Sequence, residues 1–323
     1  MATALITGIL GQDGSLLAER LLAHDYRVVG VMRPGSVIAA ELRTPLAGCE
    51  LVEVDLATTG WADSLVQRIT PDEVYHLAAC HHSSERRDDP AQQQRMVAVN
   101  YAACLALAHA VLARGRGRLV IAASSQMYTP STPHLRVDEA TPRAPASFYG
   151  VTKANTLDAI AWLRARQGLA ASTAILFNHE SPRRPASFVT RKITRATARI
   201  AAGLDTTVEL LDTASAVDFT CAHDIVAGLH ALARAEPADR VFASGELHTI
   251  ADVCSVAFAT VGLDWQHHVR SQRPPGGRPA LVGDPTRSER ELGWQRRHSF
   301  AAWIEEMVHA DRRRIAEGAA DDE

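Results

Sequence analysis

Aromatic residues make up only 5% of this 323-residue chain, and its five cysteines (Cys49, Cys80, Cys104, Cys221, Cys254) are widely spaced, with no C-x-x-C pair. That pattern argues against a disulfide framework or a structural zinc site and fits a reduced, cytoplasmic setting. An excess of one charge is also missing. Lys and Arg number 34 against 37 Asp and Glu, a net charge of −3, which offers neither a footprint for nucleic acid nor a basic face for a membrane surface. No apolar run reaches the length of a membrane span, and the first residues pass straight into an apolar strand without a basic leader or cleavage site, so a soluble, unprocessed protein is expected. With 46% hydrophobic and 22% charged residues, the chain can bury a large core in two lobes.

Short aliphatic runs at residues 2–7, 27–32, 50–54, 73–79, 118–123 and 172–177 read as strands. Helical patterns fill 15–24, 92–113 and 149–167 between them. This alternation predicts an α/β fold with a doubly wound parallel sheet of the Rossmann type and a smaller C-terminal substrate-binding lobe. The expected division is 1–177 for the sheet domain, with 213–255 returning to it, and 178–323 mainly for the second lobe. Residues 271–279 read as a loop from their Pro and Gly content, and 317–323 as a frayed acidic end.

Three motifs carry chemistry. Gly8, Gly11 and Gly14 sit between the first strand and first helix, where glycines let the backbone approach a pyrophosphate and the helix start supplies free N–H groups. The second strand ends at Arg33 instead of an acidic residue, which favours a 2′-phosphate and hence NADP over NAD; an arginine in a solvated loop would look the same. Asp55-Leu56 follows the third strand, where it could flank the adenine or cap a helix. The third motif is Ser124-Ser125-Gln126 followed by Tyr149 and Lys153. A Tyr and a Lys four apart share a helix face, so the ammonium is expected to lower the phenol pKa and make a base for oxidising an alcohol.

These motifs, with the segments 4–19, 71–79, 175–194, 244–265 and 283–294, make the chain resemble the GDP-mannose 4,6-dehydratase family of extended short-chain dehydrogenases, over nearly its whole length. The resemblance implies tightly bound NADP, with NAD as the alternative, held by Gly8, Ile9, Leu10, Gly11, Gln12, Asp13, Arg33, Asp55, Leu56, Leu77, Ala78, Ala79, Tyr149, Lys153, His179 and Arg184. It makes Tyr149 the catalytic tyrosine, with Ser124 and Ser125 beside it, and places Asn178, Val189, Thr190 and Lys192 toward a GDP-linked sugar in the second lobe. It also implies a homodimer.

Two departures stand out. Where the family has a Glu that removes the C5 proton of the sugar, this chain has Gln126, and an amide cannot serve as that base. Where the family has a phosphate-gripping Arg, it has Val217, with Arg273, Arg278 or Arg287 as substitutes. Oxidation without elimination leaves a 4-keto sugar to be reduced again, so these residues favour a GDP-sugar 4-epimerase working by transient C4 oxidation, in a setting such as secondary metabolism or antibiotic biosynthesis. The alternative is a dehydratase in which another group compensates for Gln126. A non-catalytic cofactor-binding regulator fits less well with retained Ser124, Tyr149 and Lys153. The pairs His81-His82 and His267-His268 point apart on regular structure, so no metal is expected. Cys80 and Cys221 fall near the expected pocket, although buried cysteine more often serves as a small apolar residue.

Overall fold

The computed structural model describes residues 1–81, 89–273 and 278–318. His82, four residues of the 271–279 loop and the end of the acidic terminus lie outside the described residues. Seven strands form one sheet: β1 (Thr3–Thr7), β2 (Arg27–Met32), β3 (Glu50–Glu53), β4 (Glu73–His76), β5 (Arg118–Ser124), β6 (Ala171–Leu176) and β7 (Asp239–Phe242). All pairings are parallel, in the order β7-β6-β5-β4-β1-β2-β3. Every residue of β4 and β6 is buried, which is why these strands read as continuous runs and not as alternating ones. The strand order reverses between β1 and β4, and at such a switch point the connections diverge and leave a crevice at the carboxyl ends of the strands.

Helices cover both faces. Gln12–Leu22 and Ala222–Arg234 pack on one through Leu17, Leu21, Ile225 and Leu229, and Trp61–Ile69 and Ala103–Arg114 on the other through Leu65, Leu107 and Val111. With β7 and the helix Ala222–Arg234, part of the 213–255 segment lies in the sheet domain. A separate core around Trp303, Phe258 and Ile193 joins the helices Val189–Ala201, Ile250–Ala259 and Phe300–Ala316. The helix at 189–201 was not legible because its buried stripe is largely Thr and Arg. Thr194 donates to Asp311 at 2.8 Å and Arg191 pairs with the same carboxylate, so a polar network replaces the apolar periodicity.

One sequence expectation needs correction. Pro90–Arg114 forms a 25-residue helical stretch apolar enough, by length and composition, to span a membrane. Half of its most apolar window is buried, and Ala103, Cys104, Leu107 and Ala108 face the sheet, so its apolarity is accounted for by the core. The stretch contains a π-helical turn, Val97–Ala102, which carries Asn100. The Asn100 side chain accepts from the Cys80 backbone N–H at 2.7 Å, donates to the Cys80 carbonyl at 3.1 Å, and donates to the Thr152 hydroxyl at 3.2 Å. The loop after β4 is thereby tied to the helix that bears Tyr149 and Lys153.

Candidate active site

A cleft of about 660 Å³ opens along the carboxyl ends of β1, β2, β4, β5 and β6, a size suited to a small-molecule ligand. Its floor is the turn between β1 and the helix Gln12–Leu22. Gly8 has φ +77°, and a Cβ there would lie 2.8 Å from the Ala78 backbone; a Cβ on Gly14 would lie 2.2 Å from the Gly8 carbonyl oxygen. Only glycine allows this close approach of three backbone segments. The helix starts at Gly11 with no side-chain cap, so its first-turn N–H groups and positive dipole end suit a pyrophosphate. On these observations a dinucleotide fits the cradle.

The loop is anchored across the cleft to the short strand Asn178–Glu180. Gln12 donates to the His179 carbonyl at 3.0 Å and accepts from the Ser181 hydroxyl at 2.8 Å. The His179 imidazole meets the Asp13 carboxylate at 2.9 Å. Burial opposes ionisation of both, yet the pairing prevails: His179 is held above its ordinary pKa and Asp13, with help from Arg184, below its own. Arg184 stacks its guanidinium 3.7 Å from the centre of the Phe188 ring.

At the other end, β5 delivers Ser124 and a short 3-10 turn presents Ser125 and Gln126. The helix Phe148–Gln167 is capped by Ser147, whose hydroxyl accepts from the Gly150 N–H at 3.0 Å. A Cβ on Gly150 would sit 2.2 Å from the Gln126 carbonyl oxygen, so glycine there lets the first helical turn, with Tyr149, press against the Gln126 backbone. The expected Lys–Tyr coupling is not what the structure shows. Lys153 Nζ donates to the Ala122 carbonyl at 2.7 Å and lies 5.7 Å from the Tyr149 ring centre. Burial pushes the Tyr149 phenol up to about 12, against the lowering effects of the Ser124 hydroxyl and Arg184, and burial brings Lys153 down to about 8. Desolvation outweighs the pairing that sequence spacing predicts.

Most of the residues named from sequence line this cleft. Gly8, Leu10, Gly11, Gln12 and Asp13 do so from the glycine turn; Arg33, Asp55 and Leu56 from the ends of β2 and β3. Leu77, Ala78 and Ala79 follow β4, while Ser124, Ser125, Gln126, Tyr149, Lys153, Asn178, His179 and Arg184 complete the wall. Ile9 is not among them: its side chain is fully buried in the core beneath, against Gly30. Val189, Thr190 and Lys192 lie outside the lining too, at the start of the helix Val189–Ala201, with Thr190 buried and donating to Glu180. Arg287 and Arg278 are turned to carboxylates, Arg287 to Glu291 at 3.3 Å and Glu139 at 3.9 Å, Arg278 to Asp212 at 3.6 Å. Neither lines the cleft.

Sequence reasoning missed His81. Its ring stands edge-on to Tyr149, centroids 4.6 Å apart, and Gln126 Nε2 lies 3.3 Å from its Nε2. The signal was available in its position two residues past Ala79, in the loop that leaves β4 at the switch point. His268 instead hydrogen-bonds the Thr206 carbonyl at 2.8 Å. Cys80 lines the cleft, but Cys221 is buried away from it, its thiol pushed up to about 12. Among the described residues Cys221, Asp224 and His298 bring potential metal-ligand atoms within 4.8 Å of one another. The Asp224 carboxylate there accepts from the Arg297 and His298 backbone N–H groups and meets the His298 ring at 2.9 Å, pinning the loop before the last helix.

The profile of the GDP-mannose 4,6 dehydratase family matches residues 5–307. The chain belongs to that family. It is 36% identical over 326 residues to GDP-mannose 4,6 dehydratase 1 of Arabidopsis thaliana, covering 95% of this chain and 89% of the relative. To the Homo sapiens GDP-mannose 4,6 dehydratase it is 33% identical over 341 residues, covering 95% and 91%. The GDP-mannose 4,6-dehydratase sdnI of Sordaria araneosa is 33% identical across 96% of this chain, which spans 61% of that longer protein. Among solved structures, the UDP-glucose 4-epimerase of Thermotoga maritima superposes with a TM-score of 0.84 at 19% identity, covering 97% of this chain and 99% of the other. RMD of Pseudomonas aeruginosa, complexed with NADPH, does so with a TM-score of 0.80 at 21% identity, covering 97% and 100%. At these identities the two structures show the fold, a Rossmann-type sheet with a second lobe.

Proposed function

We propose that this member of the dehydratase family is an NADP-dependent nucleotide-sugar 4,6-dehydratase acting on a GDP-linked hexose. The observation that carries the reading is the convergence of Ser124, Tyr149 and Lys153 at the carboxyl edge of the sheet, in one cleft with the glycine cradle. Gln126 alone favoured a 4-epimerase. The family match over residues 5–307 and the dehydratase names of the sequence relatives weigh the other way, toward a dehydratase in which another group compensates for the amide. Arg33, exposed at the end of β2 and lining the cleft, supports NADP over NAD because its guanidinium suits a 2′-phosphate.

Bound in the cradle, a nicotinamide dinucleotide supplies a site that accepts and returns hydride. The chain's own residues do the rest. Ser124 hydrogen-bonds the C4 hydroxyl, Tyr149 takes its proton, and Lys153 braces the cleft floor from beneath. Incubation with GDP-mannose in heavy water tests the reading: the product carries deuterium at C5 and has lost the C6 oxygen, by mass spectrometry and NMR. A C4-inverted sugar without C5 deuterium would replace the dehydratase by the epimerase.

The burial of Tyr149 sets a pH dependence. A phenol held at about 12 is ionised to only about one part in 10⁴ at pH 8, so its base form gains about tenfold per pH unit. Lys153, lowered to about 8, loses its positive charge as pH rises through that value. kcat/KM should therefore climb from about pH 6 through about pH 8, following the ionised fraction of Tyr149. A flat profile below pH 8 would remove the phenolate from the mechanism.

A further inference from the structure

We infer that His81 is the acid–base group of the elimination half of the reaction, with Gln126 as a positioning residue that aims it. This rests on the dehydratase reading and names the group that reading requires. C5 is bonded to C4, so whatever removes the C5 proton must stand within a few ångström of the group that serves C4. Among the residues around Tyr149, Gln126 offers an amide with no useful basicity, whereas an imidazole gains and loses a proton near neutral pH. His81 stands at that place, edge-on to the Tyr149 ring at 4.6 Å and on the cleft wall.

Its orientation is built in from two sides. Asn100 clamps both backbone polar groups of the preceding Cys80 and ties them to Thr152 of the catalytic helix. On the other side the Ser147 hydroxyl donates to Gln126 Oε1 at 3.3 Å, which directs the amide N–H groups toward His81 Nε2, also at 3.3 Å. An amide donor facing Nε2 pairs with the tautomer that carries its proton on Nδ1, so Nε2 offers a lone pair that takes a proton once the amide yields. At 3.3 Å that hydrogen bond is long enough to yield to a substrate. Phe188 lies beside the imidazole as well, 6.0 Å away, with the Arg184 guanidinium stacked on it. A glutamate at position 126 would be the base itself; a glutamine there passes the task to the imidazole it orients.

The step balances. Once C4 is a ketone, His81 Nε2 takes the C5 proton, the C5–H electron pair forms the C5=C6 bond, and the C6–O bond breaks. The departing hydroxyl leaves as water with the proton from Nε2. When hydride returns to C6, His81, reprotonated from solvent, delivers the proton to C5, and the C4 hydroxyl proton taken by Tyr149 is released to solvent.

The test uses the full chain with GDP-mannose and NADP in heavy water, as wild type, His81→Gln, His81→Asn, Gln126→Glu and the double variant His81→Gln/Gln126→Glu. With either His81 substitution, C5 deuteration and loss of the C6 oxygen should fall by a factor on the order of 10² to 10⁴. The 4-keto hexose that keeps its C6 hydroxyl should then accumulate and be trapped by borodeuteride as a C4-labelled sugar. Calorimetric affinities for NADPH and GDP-mannose should stay within about threefold of wild type, which a collapsed cleft would not allow. The double variant should regain elimination, because the carboxylate returns at position 126. Unchanged C5 deuteration in both His81 variants, with wild type dehydrating normally, overturns the His81 assignment and leaves the dehydratase reading standing. Absence of C5 deuterium with wild type overturns both.

Discussion

Replacing Tyr149 by phenylalanine is expected to lower kcat by a factor on the order of 10² to 10⁴ while leaving NADPH affinity within about threefold. The ring stays, so its edge-on contact with His81 and its place above Lys153 are kept; only the phenolic oxygen goes. The approach of that oxygen to Ser124 is the main interaction lowering its pKa, and neither Ser124 nor Lys153 replaces it as base on the C4 hydroxyl. Ser124 is a hydroxyl that accepts from the Gln126 N–H at 3.2 Å, and Lys153 is committed to the Ala122 carbonyl. Steady-state kinetics on GDP-mannose together with calorimetric titration of NADPH checks the split. A loss of less than tenfold would move the C4 proton transfer away from Tyr149 and take the central observation of the proposed function with it.

What could be read in advance, and what could not, follows from the range of the interactions. The sheet strands and the Phe148–Gln167 helix were legible because burial on both faces or a strong cap writes itself locally: β6 is six buried residues, and Ser147 caps Gly150. The glycine turn was legible because its requirement is steric and nearly independent of context. The ionisation state of Tyr149 was not, since spacing reports that Lys153 is near but not that burial raises the phenol while the ammonium turns to the Ala122 carbonyl. The helix at 189–201 escaped because its buried face is satisfied by Asp311, more than a hundred residues away. His81 was read as one of an uninformative pair, and only the fold shows that the loop after β4 sets it against Gln126 and Tyr149. Arg287 went the other way, its charge engaged by Glu139 and Glu291 on a surface apart from the cleft.

The second large effect concerns the cradle. A methyl group on Gly14 would stand 2.2 Å from the Gly8 carbonyl oxygen and 2.8 Å from both the Gly8 carbonyl carbon and the Ile9 Cα, all backbone atoms that cannot swing aside as a side chain would. Gly14→Ala must therefore either strain the folded turn or push it out of the shape that holds a pyrophosphate, at a cost of about 1–3 kcal/mol for overpacking. If the turn stays, the whole cost appears as lost stability in urea unfolding. If it relaxes, stability recovers but binding must restore the turn, and NADPH affinity drops by up to about 100-fold, about 1.4 kcal/mol per factor of ten. The two losses are linked and their sum is set by the clash, so measuring both in one variant identifies the strain whichever way the chain divides it. Gly203→Ala is the control: Gly203 has φ +73° and open space around its Cβ position, in the second lobe beyond the helix Val189–Ala201. It should cost about 1–2 kcal/mol of stability through backbone strain and leave NADPH binding unchanged. Were Gly14→Ala to change neither quantity, the close backbone approach that makes this turn a dinucleotide cradle would have no energetic content, and the cofactor assignment would lose its steric basis.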